Sequence, residues 1–140
     1  MRRRHLLDTN VISELWRKRP DPAVVAFVGG LDDYGVSVIV LNELTYGVER
    51  AEASLRERLG AFMSAWRPQI EPLAIHVDAR IAETAGRLRA NAQKRGRILH
   101  SEDALIAATA MIHDATLVTR NSRDFEGLGV RLANPFSQDS

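Results

Sequence analysis

Apolar residues recur along this chain in two alternating rhythms. Short runs of adjacent apolar or β-branched residues predict strands: residues 4–8, Tyr34 to Ile39, Ile70 to Ile75, Thr116 to Thr119 and Val130 to Ala133. Between them, apolar residues return every three or four positions, the spacing of a helix with one buried stripe. Residues 10–18 form the first such segment, stopped by Pro20 and Pro22. Pro22 fits the first turn of a second helix, Ala23 to Val28, which Gly29-Gly30 ends. Val40, Leu44, Val48 and Ala51 mark a third. Leu55, Leu59, Phe62, Met63 and Trp66 mark a fourth, expected to stop at Pro68. Val77, Ile81, Ala85, Leu88 and Ala92 mark a fifth, with Gly96 as its terminator. Ser101 to Ile112 is apolar on nearly every side beyond its first turn, which predicts a central, buried helix. Strands alternating with helices predict a three-layer α/β/α domain with a mainly parallel sheet.

Composition narrows this little. At 140 residues and 45% apolar content, the chain has the size and make-up of one domain spanning 1–140. No apolar run approaches a membrane span, and the apolar stretch after the basic start is too short for a signal-peptide core, so no membrane association and a cytoplasmic setting are expected. Cysteine is absent, which excludes disulfides and thiolate metal sites. A net charge of +1 gives nucleic acid little bulk attraction, so binding would depend on local arginines. Arg87, Arg89, Arg95, Arg97, Arg120 and Arg123 are the candidates, each with a solvated charged face as the alternative.

Leu6-Leu7-Asp8-Thr9-Asn10 reads as a strand, a tight turn and a helix start. In an open parallel sheet, ligands sit outside the carboxyl ends of the strands, where Asp8 falls. A helix cap is the other reading of Asp8. Glu43 lies at the edge of a buried helical stripe, Asp103 in the first turn of the buried helix, and Asn121 and Asp124 just beyond a strand. A parallel fold brings these carboxyl-end loops together. Carboxylates crowded in one place repel each other, a conflict that a hard divalent cation removes. No histidine pair has zinc-site spacing, and neither a phosphate loop nor a serine nucleophile elbow is present. His100, near Asp103, is a weaker candidate for substrate contact. The remaining chemistry is phosphodiester hydrolysis by a metal-activated water. A metal-dependent phosphatase of another α/β type is disfavoured, because Asn10 stands where its second aspartate belongs.

Taken in order, Leu-Leu-Asp8-Thr-Asn, Leu-Asn-Glu43-Leu, Asp103-Ala-Leu-Ile-Ala-Ala-Thr-Ala and Leu-Val-Thr-Arg-Asn121 with Asp124-Phe resemble the PIN-domain proteins. The resemblance is to the VapC-type toxins of bacterial toxin–antitoxin pairs, including the FitB-like branch, and it runs through Asn134-Pro135-Phe136. It implies a ribonuclease dependent on Mg2+ or Mn2+, an RNA substrate, homodimers, and a cognate antitoxin whose C-terminal segment lies over the site. Carried over by position, Asp8, Glu43 and Asp103 match the metal-binding acids, with Thr9, Asn10 and Thr119 as supporting groups. Asn121 stands where many relatives have a fourth acid, and it offers an oxygen without charge. Asp124 is preferred over Glu102 as its substitute. That departure leaves a second reading, a catalytically weak module that binds RNA or antitoxin.

Overall fold

The computed structural model describes residues 5–137; the expected strand start at residue 4 and the tail at 138–140 lie outside them. The elements are β1 (His5–Leu7), α1 (Thr9–Leu15), α2 (Pro22–Gly29), β2 (Val36–Ser37), α3 (Val38–Arg50), α4 (Ala53–Ile70), a 3-10 turn (Glu71–Leu73), β3 (Ala74–Ile75), α5 (Ala79–Lys94), α6 (Ser101–Ile112), β4 (Thr116–Val118), α7 (Ser122–Phe125) and β5 (Leu132–Ala133). Every strand pairing is parallel. One sheet runs β1-β4-β5, and a second pairs β2 with β3. A parallel bridge between Leu6 and Gly35 joins them. The result is the expected α/β architecture, with β1 and β4 inside the sheet.

The core follows from the apolar runs. Leu6, Leu7, Leu117 and Val118 are fully buried, as strands covered on both faces require. In α6, Ala104, Ile106, Ala107, Ala108 and Ala110 are fully buried too. Its small side chains let α5 pack closely through the stripe of Ile81, Ala85, Leu88 and Ala92. Gly96 ends α5 region with φ of +77°, a left-handed conformation that glycine adopts without steric cost.

Three expectations about boundaries are corrected. The strand expected over Tyr34 to Ile39 is only two residues long, because the Ser37 hydroxyl accepts the Ile39 N–H at 3.1 Å and starts α3. The fourth helix does not stop at Pro68 but runs through it to Ile70. The strand expected from Ile70 is mostly a 3-10 turn containing Pro72, leaving Ala74 and Ile75 to pair. Local capping and tertiary packing override single-residue propensity at each point.

Candidate active site

Asp8 is where the chain turns from β1 into α1. Its backbone N–H donates to the Val118 carbonyl, extending the β1–β4 ladder by one bond. Its side chain caps α1 by accepting the Thr9 N–H at 2.8 Å. The helix-cap reading therefore holds, but it uses only part of the carboxylate. The other oxygen accepts from the Thr119 hydroxyl at 2.8 Å and from the Asn10 amide at 3.4 Å. Asp8 is only 5% exposed. Burial raises its pKa above the usual 3.8, while the hydrogen bonds from Thr119, Thr9 and Asn10 oppose the rise.

Thr119 organises this corner. Fully buried at the end of β4, its hydroxyl also accepts from Asn10 Nδ2 at 3.2 Å and from the Asn121 N–H at 3.0 Å. Asn10 Oδ1 accepts the Arg120 N–H at 3.0 Å. The two strand-end loops, residues 8–10 and 119–121, are thus laced together by side chains of both. Among the described residues, no buried side-chain nitrogen or oxygen lacks a partner.

Glu43, on α3, reaches the same corner and accepts a short hydrogen bond from the Thr9 hydroxyl. It is half-buried, and desolvation raises its pKa, with Asp8 and Glu102 adding repulsion. Asp103 comes from the first turn of α6. Desolvation first, then the charges of Asp8, Glu43 and Asp124, raise it from 3.8 to about 6; His100 pulls the other way. Asp8, Glu43 and Asp103 all line one cleft of about 690 Å³, together with Thr9, Asn10, Arg120 and Asn121.

The three acids expected to hold a cation share one cleft. Among the described residues, no group of three or more His, Cys, Asp or Glu side chains is gathered at ligating spacing. Glu43 is turned to the Thr9 hydroxyl and Asp8 to the Thr119 hydroxyl. The donor set nevertheless suits a hard cation. It is all oxygen, it faces one cleft, and each acid's ionised form is disfavoured in a way that positive charge would reverse.

The flanking candidates divide. Asn121 is on the cleft wall but exposed, and Asp124 lies beside the cleft, acting on Asp8 and Asp103 through its field. Of the six arginines, Arg120 lines the cleft. Arg97 instead donates to the carbonyls of Glu126 at 2.6 Å and Asp124 at 3.0 Å, and Arg95 to that of Gly127 at 3.3 Å. These two brace α7, which carries Asp124, and the turn that follows it. Arg87, Arg89 and Arg123 are exposed and off the cleft wall.

Arg17, Arg50 and Arg58 also line the cleft and were not singled out from the sequence. Arg50 was findable: it lies seven residues after Glu43 on the same helix, two turns along one face. Arg58 was not, because its place depends on α4 folding back so that it donates to the Trp16 carbonyl at 2.7 Å. The buried Glu14 is structural here, accepting the Asp21 N–H at 2.8 Å and pairing with Arg17.

Known proteins resemble this chain over most of its length. The PIN domain pattern matches residues 5–130. Toxin FitB of Neisseria gonorrhoeae is 34% identical over 139 residues, covering 94% of this chain and 97% of that protein. VapC ribonuclease Y4jK of Sinorhizobium fredii is 32% identical over 139 residues, covering 94% and 96%. Among solved structures, FitAcB from Neisseria gonorrhoeae superposes with a TM-score of 0.83 at 31% identity, over 94% of this chain and 97% of that one. VapBC2 from Rickettsia felis, bound to a promoter DNA fragment, gives 0.80 at 28% identity over 93% and 97%. This chain belongs to the PIN domain family, in the branch that holds the VapC and FitB proteins.

Proposed function

We propose that this protein is a metal-dependent endoribonuclease, the toxin of a toxin–antitoxin pair. The observation that carries this is the convergence of Asp8, Glu43 and Asp103 on one cleft rimmed by Arg120, Arg17, Arg50 and Arg58, in a chain of this family. Acids on the floor suit a cation, and arginines on the rim suit the phosphates of an RNA strand. Relatives named as ribonucleases and as a tRNA(fMet)-specific endonuclease support the substrate class.

Asp8, Glu43 and Asp103 would hold Mg2+ or Mn2+, with Asn121 as a neutral oxygen at the margin. When bound, such an ion supplies positive charge to the phosphoryl oxygens and makes a water easier to deprotonate. The protein's own groups do the rest. Thr119, Thr9 and Asn10 fix the acids' orientations, Arg120 holds a phosphate, and Asp124 orients the attacking water. Attack at phosphorus breaks the bond to the 3′-oxygen, leaving a 5′-phosphate on the downstream fragment.

The cleft continues past the acids over Trp16, Leu44, Val48, Leu55 and Leu59, an apolar floor that suits an antitoxin segment lying across the site. Solved relatives are toxin–antitoxin complexes, which supports an antitoxin partner here. A homodimer and a cytoplasmic setting belong to the same reading. Among the described residues, no helix is long and apolar enough to cross a membrane.

The uncharged Asn121 favours one alternative, a catalytically weak module that binds RNA or antitoxin. One experiment separates the two: sequencing the RNA 5′ ends that appear after induction in cells. New 5′ ends at defined sites, absent with Asp8→Asn, support the nuclease. Growth inhibition without new ends supports the binding module.

A further inference from the structure

A glycine inside a helix stands on the cleft wall without a packing reason within the molecule. Gly47 lies in the interior of α3 and is half-buried. Glycine there weakens a helix relative to alanine. The usual reason to keep one is close approach of a neighbouring element. A Cβ at Gly47, however, would meet nothing within 4 Å among the described residues beyond its own stretch of helix. Gly60, on α4, differs: a Cβ there would lie 3.9 Å from Val48 Cγ1. Gly47 borders the cleft that holds Asp8, Glu43 and Asp103. Glu43, Gly47 and Arg50 are spaced i, i+4 and i+7, so they follow one face of α3, and all three line that cleft. From the rise of an α-helix, Gly47 sits about 6 Å and Arg50 about 10 Å along the axis from Glu43.

We propose that the RNA backbone crosses α3 at Gly47, pressed against the bare helix between the acidic corner and Arg50, so that the missing side chain sets the width of the RNA path. This rests on the reading of the cleft as an RNA-cleaving site and adds the course of the strand away from the scissile bond. Glycine lets a ligand's backbone approach the main chain closely. The charges agree with a polyanion: Arg17, Arg50 and Arg58 line the same cleft, and the arginine fork suits phosphate. The line through Gly47 carries charge at both ends, whereas the apolar floor offered to an antitoxin segment follows Leu44 and Val48. Gly86, inside α5, is the natural control. A Cβ there also meets nothing within 4 Å, but Gly86 is off the cleft wall.

The test compares Gly47→Ala, Gly47→Leu and Gly86→Ala with wild type. It measures melting temperature, cleavage of a fluorescent single-stranded RNA at constant Mg2+, and binding of the same RNA in an Asp8→Asn background. Alanine and leucine are strong helix formers, so none of the variants should melt below wild type, and Gly47→Ala should melt above it. KM is expected to rise about threefold in Gly47→Ala and about thirtyfold in Gly47→Leu, with kcat falling less, since a clash in the path weakens ground and transition states alike. RNA binding should weaken in the same order. Gly86→Ala should keep the wild-type KM. The inference is overturned if Gly47→Leu cleaves and binds RNA as wild type does, or if Gly86→Ala raises KM as Gly47→Ala does. It is also overturned if the Gly47 variants melt well below wild type, which would make the glycine a packing requirement. With RNA unaffected, escape of Gly47→Leu from the co-expressed antitoxin would give the gap to that partner instead. If wild type binds the RNA without cutting it, the nuclease reading fails while the binding ratio still decides the path. If it neither binds nor cuts, both fall.

Discussion

The Thr119 hydroxyl donates to the Asp8 carboxylate at 2.8 Å across 111 positions of sequence. That bond ties the ends of two adjacent parallel strands and fixes one oxygen of the acid at the centre of the cleft. Both groups are buried, so neither has water as a substitute partner.

Thr119→Val should therefore destabilise the protein by about 1–3 kcal/mol, the usual penalty for stranding buried polar groups. The valine keeps the volume but removes the strongest donor to Asp8 Oδ2 and the acceptor shared by Asn10 Nδ2 and the Asn121 N–H. Urea unfolding measures this, and Thr119→Ser should recover most of the loss. Equal stability of Thr119→Val and wild type would remove the hydroxyl from any organising role.

Asp8→Asn separates chemistry from folding. Asparagine caps helices about as well as aspartate, so α1 should start normally and the melting temperature should hold or rise. RNA cleavage and growth inhibition should both disappear. Cleavage by the variant at the wild-type rate with Mg2+ present would show that the site is assigned wrongly.

The raised acids predict an unusual pH response of the metal-free protein. Asp103 titrates near 6 when folded against 3.8 as an ordinary aspartate, so the folded state binds the proton more tightly. Stability is then greatest below about pH 4 as far as this group is concerned, and it declines as pH rises through 6. Asp8 and Glu43 push in the same direction. Asp103→Asn should abolish cleavage yet raise the melting temperature at pH 7 in EDTA, with a smaller change at pH 4.5. Differential scanning at the two pH values checks this; destabilisation at pH 7 would contradict it.

Divalent ions should act on stability as well as on rate. EDTA should stop RNA cleavage, and Mg2+ or Mn2+ should restore it. Added Mg2+ should also raise the melting temperature, because a ligand that binds only the folded state stabilises by mass action. The thermal gain should vanish in Asp8→Asn/Asp103→Asn. Cleavage that persists in EDTA would count against the proposed chemistry.

Much of the architecture was legible because the buried strands and α6 carry unbroken apolar runs, which only a two-sided covering explains. Asp8 and Asp103 stand out because each sits where such an element ends or begins, and Glu43 because it edges the buried stripe of α3. Element ends were harder. Ser37 looks like a strand residue until its hydroxyl is seen to cap α3, and Pro68 looks like a stop until the packing of the helix carries it through. Arg97 reads as a surface cation, and only the fold reveals that it is spent on the carbonyls of Asp124 and Glu126. Arg17 and Arg58 reach the cleft only through tertiary packing, which no local pattern announces, whereas Arg50 shares a helix face with Glu43.

The bridge from Leu6 to Gly35 has one more implication. Glu43 is carried by a helix that grows directly out of β2, while Asp8 ends β1, and those strands meet through the hydrogen bonds of Leu7 and Gly35 rather than a long ladder. The placing of Glu43 against Asp8 therefore falls less to this seam than to the Thr9 hydroxyl and the packing of α3 on α1.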